Sequence, residues 1–99
     1  MASSTNYLEF ILEQLHGLNG ITYKKMMGEY LLYLNGVLLG GIYDDRLLIK
    51  KTKSNEEYHL TDELPYPGAK MMWLVDEVDN QEILITMMQN VYRDLKKES

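Results

Sequence analysis

The chain has 99 residues with 45% hydrophobic and 25% charged side chains, which is the composition of one globular domain built around a single core. The absence of cysteine excludes disulfides, thiolate zinc sites and cysteine nucleophiles, and it favours a cytoplasmic location. The formal net charge of -5 argues against direct binding to nucleic acid or to an anionic membrane, because that binding depends on lysine and arginine.

The first predicted element is an amphipathic helix over residues 4–16. Its apolar residues recur three and four positions apart, as on one buried helical face: Tyr7, Leu8, Ile11, Leu12 and Leu15. Ser4, Thr5 or Asn6 is expected to cap its first turn, and Gly17 is expected to end it in a left-handed conformation. Phe10 lies on the flank of this helix, away from the apolar face.

Four strands are predicted next, over residues 21–27, 29–34, 37–43 and 46–49. Asn35-Gly36 is typical of a two-residue type I′ hairpin, Asp44-Asp45 forms the next turn, and Gly28 marks a bend. Gly40-Gly41 lies inside a strand, which predicts a bulge or a close approach of another backbone. A phosphate-binding loop is the alternative there, but no lysine or hydroxyl residue follows at the P-loop spacing.

The second half of the chain is predicted to contain a short helix over residues 52–59 capped by Ser54, a loop at Leu64–Gly68, a strand over residues 71–75, and a helix from the cap residue Asp79 to about Lys96. The predicted fold is α+β, in the order α-β-β-β-β-α-β-α. Two layers are expected, with about five mostly antiparallel strands packed against two long helices and one short helix. Residues 1–99 form one domain, with residues 1–3 and 97–99 expected to be flexible.

No group of residues in this sequence predicts catalysis, and we expect no enzyme activity, metal or cofactor. His16 and His59 lie far apart, without ligands at metal-binding spacing. The acidic run Asp76–Glu82 lacks the glycine turn of a calcium loop. The one basic cluster, Lys50, Lys51 and Lys53, is interpreted as a solvated strand end.

The strand 29–34 is apolar on both faces, since Leu31 and Tyr33 alternate with Tyr30, Leu32 and Leu34. Two helices cover one face of a small sheet, so the other is expected to bind a second copy of the chain or a regulatory protein. The candidate interaction surface is either Leu31 with Tyr33 or the helix flanks, namely Phe10, Ile85 and Tyr92. The alternative is a small-molecule-binding domain or minor enzyme with a pocket near Trp73 and Tyr66.

Three stretches carry a family resemblance: Met26-Met27-Gly28-Glu29-Tyr30, then residues 40–47 (Gly-Gly-Ile-Tyr-Asp-Asp-Arg-Leu), then residues 64–70 (Leu-Pro-Tyr-Pro-Gly-Ala-Lys). Together they resemble the N-terminal domain of the TfoX/Sxy family, over about residues 4–95. The resemblance implies a fold similar to type III secretion chaperones and a role in bacterial competence gene expression alongside the cyclic-AMP receptor protein. It supplies no catalytic residues, and we expect this domain to lack the C-terminal domain that regulator-type members carry.

Overall fold

A computed structural model describes residues 3–98 and contains two α-helices, a 3-10 helix and six strands. The elements are α1 Thr5–Gln14, β1 Ile21–Met26, β2 Glu29–Leu34, β3 Val37–Tyr43, β4 Arg46–Ile49, the 3-10 helix Lys53–Tyr58, β5 Thr61–Glu63, β6 Met72–Leu74 and α2 Gln81–Glu98. The strands form one antiparallel sheet in the order β1-β2-β3-β4-β6-β5. The predicted α+β fold is confirmed, with one strand more than expected. That strand, β5, was missed because Thr-Asp-Glu has no apolar alternation.

Three tight turns connect the first four strands, and each places two successive residues in the left-handed region. These pairs are Met27-Gly28, Asn35-Gly36 and Asp44-Asp45, with φ between 51° and 84°. Two successive left-handed residues define the type I′ turn, whose twist matches that of a hairpin. The two predicted turns are therefore confirmed, and the predicted bend at Gly28 is a turn of the same kind. Aspartate tolerates this conformation better than most residues, which explains the third turn without a glycine.

A β-bulge interrupts the pairing of β2 with β3. Leu32 lies opposite Gly40 while Tyr33 lies opposite Leu38, so Leu39 is the extra residue. A Cβ atom on Gly40 would collide with the carbonyl oxygen of Leu48 on the neighbouring strand. Both features predicted from Gly40-Gly41, a bulge and a close backbone approach, are confirmed.

Both long helices pack on the same face of the sheet and enclose the core. Its largest fully buried side chains come from every layer: Ile11 and Leu15 of the α1 segment, Leu84, Met88 and Val91 of α2, and Leu32, Leu39, Ile42, Leu47 and Ile49 of the strands. Interdigitated aliphatic side chains of this kind are the main stabilising term of a small domain. None of the described helices is long and apolar enough to cross a membrane.

The ends of α1 show one confirmed prediction and one that is wrong. Ser4 caps the helix, since its Oγ accepts a hydrogen bond from the Tyr7 amide at 3.1 Å. The helix does not end at a left-handed glycine, because Leu15 is the C-cap residue and Gly17 has no positive φ. Gly17 instead makes room for Ile85, whose Cδ1 would lie 3.0 Å from a Cβ at this position.

Two other predicted caps are also wrong. Asn80, not Asp79, caps α2 by accepting a hydrogen bond from the Ile83 amide at 3.1 Å. Thr52, not Ser54, precedes the 3-10 helix. Ser54 donates its hydroxyl and its amide hydrogen to the carboxylate of Asp94 on α2, at 2.7 and 2.8 Å. The sequence pattern predicted that Ser54 caps the short helix, but Ser54 forms a tertiary contact with α2 instead.

The start of the chain is held against two hairpin turns. Ser3, although it falls in the predicted flexible end, is buried and donates its amide and its hydroxyl to Glu29 Oε1, both at 2.9 Å. The other carboxylate oxygen of Glu29 accepts the Asp44 amide at 3.0 Å. Glu29 thus joins Ser3 to the β3–β4 turn. Met1, Ala2 and Ser99, which belong to the ends predicted to be flexible, lie outside the described residues.

Candidate functional site

The sheet face opposite the helices, here called the second face, contains two of the residues predicted to form an interaction surface. Side chains alternate along a strand, so Leu31 and Tyr33 of β2 lie on the side opposite the buried Leu32. Both are half-buried, and Tyr33 lies across from Leu38 of β3, which is also half-buried. The second face therefore presents a short row of large, half-buried apolar side chains.

The loop between β5 and β6 folds over the rest of the second face. Pro65 is buried, and the ring of Tyr66 lies 6.4 Å from the ring of Tyr43, centroid to centroid. Leu64, Tyr66 and Met71 remain exposed, with 59% of Tyr66 accessible to solvent. The second and third stretches that resemble the TfoX family therefore meet here, at Tyr43 and Tyr66.

A cleft opens beside this tyrosine pair, with a volume of about 490 Å³. Its apolar wall includes Leu38, Met71, Met72 and Leu95, and its basic side chains are Lys50, Lys51 and Lys70. Among the residues that the structure describes, no carboxylate lines this cleft, although the chain as a whole is acidic. We call it the tyrosine–lysine cleft, and its residues suit an anionic group attached to an apolar one.

The three lysines of the tyrosine–lysine cleft differ in their partners. Lys51 forms an ion pair with Asp62 at 3.1 Å and lies 5.8 Å from the ring centroid of Trp73. Among residues 3–98, the ammonium groups of Lys50 and Lys70 form no ion pair. Lys53, the third member of the basic cluster in the sequence, begins the 3-10 helix and does not line the cleft.

The hydroxyl of Tyr43 stays protonated well above neutral pH. Burial raises the pKa of Tyr43 above its ordinary value of 10.0, and the neighbouring Tyr66 raises it further. Tyr43 can therefore act as a neutral hydrogen-bond donor beside the cleft.

The pocket expected near Trp73 and Tyr66 contains only one of these two residues. Tyr66 lines the tyrosine–lysine cleft, whereas Trp73 packs against the hydrophobic core and beneath Lys51. The strand register explains why Trp73 faces the core: it pairs with Ile49, whose side chain belongs to the core, and paired residues lie on the same face of the sheet.

The remaining predicted surface residues lie away from the second face. Phe10 is 37% exposed on α1, with its ring centroid 6.3 Å from that of Tyr7. Ile85 and Tyr92 of α2 are half-buried and pack against the core. The structure therefore brings Leu31 and Tyr33 together and separates them from the helix flanks.

The histidines and the acidic run do not converge. His16 lies beside β1, while His59 follows the 3-10 helix in a left-handed conformation with φ of 52°. Within residues 3–98, no three His, Asp or Glu side chains are arranged to hold a metal ion. Asp76 and Asp79 lie near Tyr7, whose pKa is raised by burial first and then by the nearby carboxylates, beginning with Asp45.

Sequence reasoning missed two polar residues that join distant parts of the fold. Glu29 anchors the start of the chain, as described above. Asn55 is completely buried, donates its side-chain amide to the Met87 carbonyl at 3.0 Å and accepts from Asn90 at 2.9 Å. An asparagine within a polar segment carries no sequence signal of burial, because its partners are more than 30 residues away.

Two comparisons with known proteins bear on this chain. A family model described as the TfoX N-terminal domain matches residues 13–81. An uncharacterized 12.7 kDa protein in the trpE 5′ region of Spirochaeta aurantia is 35% identical over 80 residues, which cover 79% of this chain and 70% of that protein.

Proposed function

Because this chain belongs to the TfoX N-terminal domain family, we propose that it is a cytoplasmic regulatory module that acts by binding another protein and not by catalysis. The observation that carries this proposal is the second face of the sheet. Leu31, Tyr33 and Leu38 are half-buried there, while both long helices pack on the other side. Contiguous apolar side chains at a surface are typical of protein-binding sites.

Leu38 of the apolar row lines the tyrosine–lysine cleft together with Tyr66 and Met71, both exposed, so the proposed binding surface includes both strand and loop side chains. Burying apolar area contributes about 25 cal/mol per Å², which favours a partner that presents an apolar surface of its own. Lys50 and Lys70 lie next to this surface and would orient carboxylates of the partner. The proposed partner is therefore a protein surface with apolar residues beside acidic ones.

A second candidate function is the binding of a small anionic molecule in the tyrosine–lysine cleft. Its volume of about 490 Å³ falls within the range of small-molecule sites, and lysines without ion pairs stand beside an apolar wall. The cleft and the proposed protein-binding surface overlap, because Leu38, Tyr66 and Met71 belong to both, so a small molecule bound there would compete with a protein partner.

The experiment that tests protein binding is quantitative affinity capture from the native cytoplasm with three baits: the unaltered chain, Tyr33→Glu and Gln89→Glu. Gln89 is exposed on α2, so its substitution adds the same charge away from the second face. We expect a partner that the unaltered chain and Gln89→Glu retain and Tyr33→Glu loses. Equal recovery with all three baits would show that the second face is not the binding surface.

A further inference from the structure

The strand β1 stands at one end of the sheet, and within residues 3–98 no strand pairs with its outer edge. It is six residues long, whereas β5 at the opposite end has three. A long edge strand is a template for pairing with another chain. Tyr23, Met26 and Met27, on and beside this strand, are among the exposed large apolar residues, and Met27 is 96% exposed.

The hairpin register shows which backbone groups of β1 point outward. A two-residue turn makes its flanking residues, Met26 and Glu29, a hydrogen-bonded pair. At the other end of the hairpin the Asn35 amide donates to the Gly20 carbonyl at 3.0 Å. Even-numbered residues of β1 therefore bond to β2, and the N–H and C=O groups of Ile21, Tyr23 and Lys25 point away from the sheet.

The side chains of these three residues lie on the helix side of the sheet. The Tyr23 ring packs edge-on against Tyr30, with 5.9 Å between centroids, and Ile21 contacts the core. An open groove of about 680 Å³ lies between β1 and α1. Leu12, Leu18 and Ile21 form its apolar floor, and Glu9, Glu13 and His16 line it with polar groups.

We infer that β1 pairs with β1 of a second copy of this chain, antiparallel about a twofold axis at Tyr23. Outward-pointing residues then face one another: Tyr23 opposite Tyr23, and Ile21 opposite Lys25 of the partner subunit. Hydrogen bonds run between these residues, and the two six-stranded sheets become continuous. The arrangement is isologous, the usual symmetry of a homodimer.

The complementary charges of β1 and of the groove beside it indicate that the strand pairing with β1 comes from a second copy of this chain. Lysines on an edge strand ordinarily deter pairing. In this register no lysine lies opposite another, because Lys24 faces Thr22 and Lys25 faces Ile21. Each Lys25 enters the groove side of its partner, where Glu9 and Glu13 are exposed. The chain thus provides both the acidic groove and the basic, apolar strand that fits it.

This contact uses the edge of the sheet and is separate from the second face. If the chain did not dimerise through β1, the proposed protein binding through the second face would be unaffected. If the second face bound no protein, pairing through β1 would likewise be unaffected.

Analytical ultracentrifugation of three proteins tests the backbone pairing: the unaltered chain, Tyr23→Pro and Tyr23→Ala. Proline is accepted on an edge strand where the N–H faces solvent, and it removes the outward donor that alanine keeps. Both variants lose the tyrosine ring. We expect the unaltered chain to dimerise at micromolar to millimolar concentration, and Tyr23→Pro to dimerise at least about tenfold more weakly than Tyr23→Ala. A monomeric unaltered chain, or equal dimerisation by the two variants, would overturn the inference.

Amide hydrogen exchange tests the same pairing without a substitution. The amides of Ile21, Tyr23 and Lys25 should exchange more slowly at high protein concentration than at low concentration. Those of Thr22 and Lys24, already bonded to β2, should not change. Concentration-independent exchange at the three outward amides would contradict strand pairing even if the proline variant failed to fold.

A charge exchange tests the role of the groove. Lys25→Glu should weaken dimerisation, and adding Glu9→Lys with Glu13→Lys should restore it. Lys24→Glu is the matched control, because it makes the same charge change on the opposite face of the strand. Equal effects of Lys24→Glu and Lys25→Glu would show that net charge, and not the groove, governs association.

Discussion

The carboxylate of Glu29 lies 2.9 Å from both the amide nitrogen and the hydroxyl oxygen of Ser3, 26 residues earlier in the chain. Glu29 belongs to the first stretch that resembles the TfoX family, and its second oxygen accepts a hydrogen bond from Asp44 in the second stretch. This relationship gives the family pattern at Glu29 a structural reason: it fixes the chain start and two hairpin turns relative to one another.

Glu29→Ala should lower the free energy of unfolding by about 1–3 kcal/mol, because three donors lose a charged acceptor. Urea denaturation provides the measurement. Glu77→Ala, which removes an exposed carboxylate, is the control and should change stability by less than about 0.5 kcal/mol. Equal effects of the two substitutions would mean that the Ser3 and Asp44 contacts contribute nothing to stability.

Asn55→Ala should destabilise the protein by about 1–3 kcal/mol, because it leaves the Met87 carbonyl and the Asn90 side chain without their buried partner. Asn90→Ala provides the comparison, since it removes one of these two hydrogen bonds and leaves the other intact. The expected order of stability in urea is unaltered chain, Asn90→Ala, Asn55→Ala. The reverse order of the two variants would contradict the assigned role of Asn55.

Acid should weaken the contact between the 3-10 helix and α2. The hydrogen bond from the Ser54 side chain lowers the pKa of Asp94 below its ordinary value of 3.8. A carboxylate with a lowered folded-state pKa contributes stability above its unfolded pKa, and that contribution is lost as pH falls toward the folded pKa. The stability difference between the unaltered chain and Ser54→Ala should therefore be constant near neutral pH and shrink below pH 3.8. Chemical denaturation across that range measures it, and a difference that persists in acid would contradict this assignment.

Tyr33→Glu and Tyr92→Glu should differ in their effect on the fold. Tyr92 packs against the core, so its replacement places a charge beside apolar side chains and should cost more than about 1 kcal/mol. Tyr33 lies half-exposed on the second face, so Tyr33→Glu should leave the thermal midpoint within a few degrees of the unaltered chain. Calorimetry compares them. A larger loss for Tyr33→Glu would indicate that the second face is covered internally.

The chain alone should not bind duplex DNA more tightly than the roughly 10⁻⁶ M limit of ordinary non-specific binding. Its net charge is -5, and Lys51, one of its few clustered lysines, is already paired with Asp62. A mobility-shift assay at physiological salt measures the affinity. Tighter binding that Lys50→Glu abolished would show that the tyrosine–lysine cleft contacts nucleic acid.

Local patterns predicted most of the fold because local chemistry determines those parts. Asn35-Gly36 and Asp44-Asp45 specify their own turns, and the alternation in β2 identified Leu31 and Tyr33 as a second apolar face. The errors at Ser54 and Gly17 arose because a residue far away in the sequence determines the local structure there. Ser54 bonds to Asp94 instead of capping its helix, and Gly17 accommodates Ile85. The misassigned cap of α2 is a local error of one residue, because Asn80 and not Asp79 accepts the Ile83 amide.

The candidate site was predictable only in part, for a related reason. Tyr66 was expected to line a pocket, but the convergence of Lys50 and Lys70 on one cleft depends on how the loop before β6 folds back over β3. That Trp73 packs against the core could not be predicted, because a run that is apolar throughout does not show which alternate residues face the core.

The position of β6 between β4 and β5 has a consequence for the order in which this protein assembles. The first four strands are neighbours in both sequence and sheet, so their hairpins can close quickly and without long loops. β5 precedes β6 in the chain and, among the described strands, has β6 as its one neighbour, so its ladder cannot form until the later strand has been synthesised. The nascent polypeptide therefore has a nearly complete meander well before its outermost strand has a neighbour. On partial unfolding β5 should be released first, and a protease should find its earliest cleavage site there.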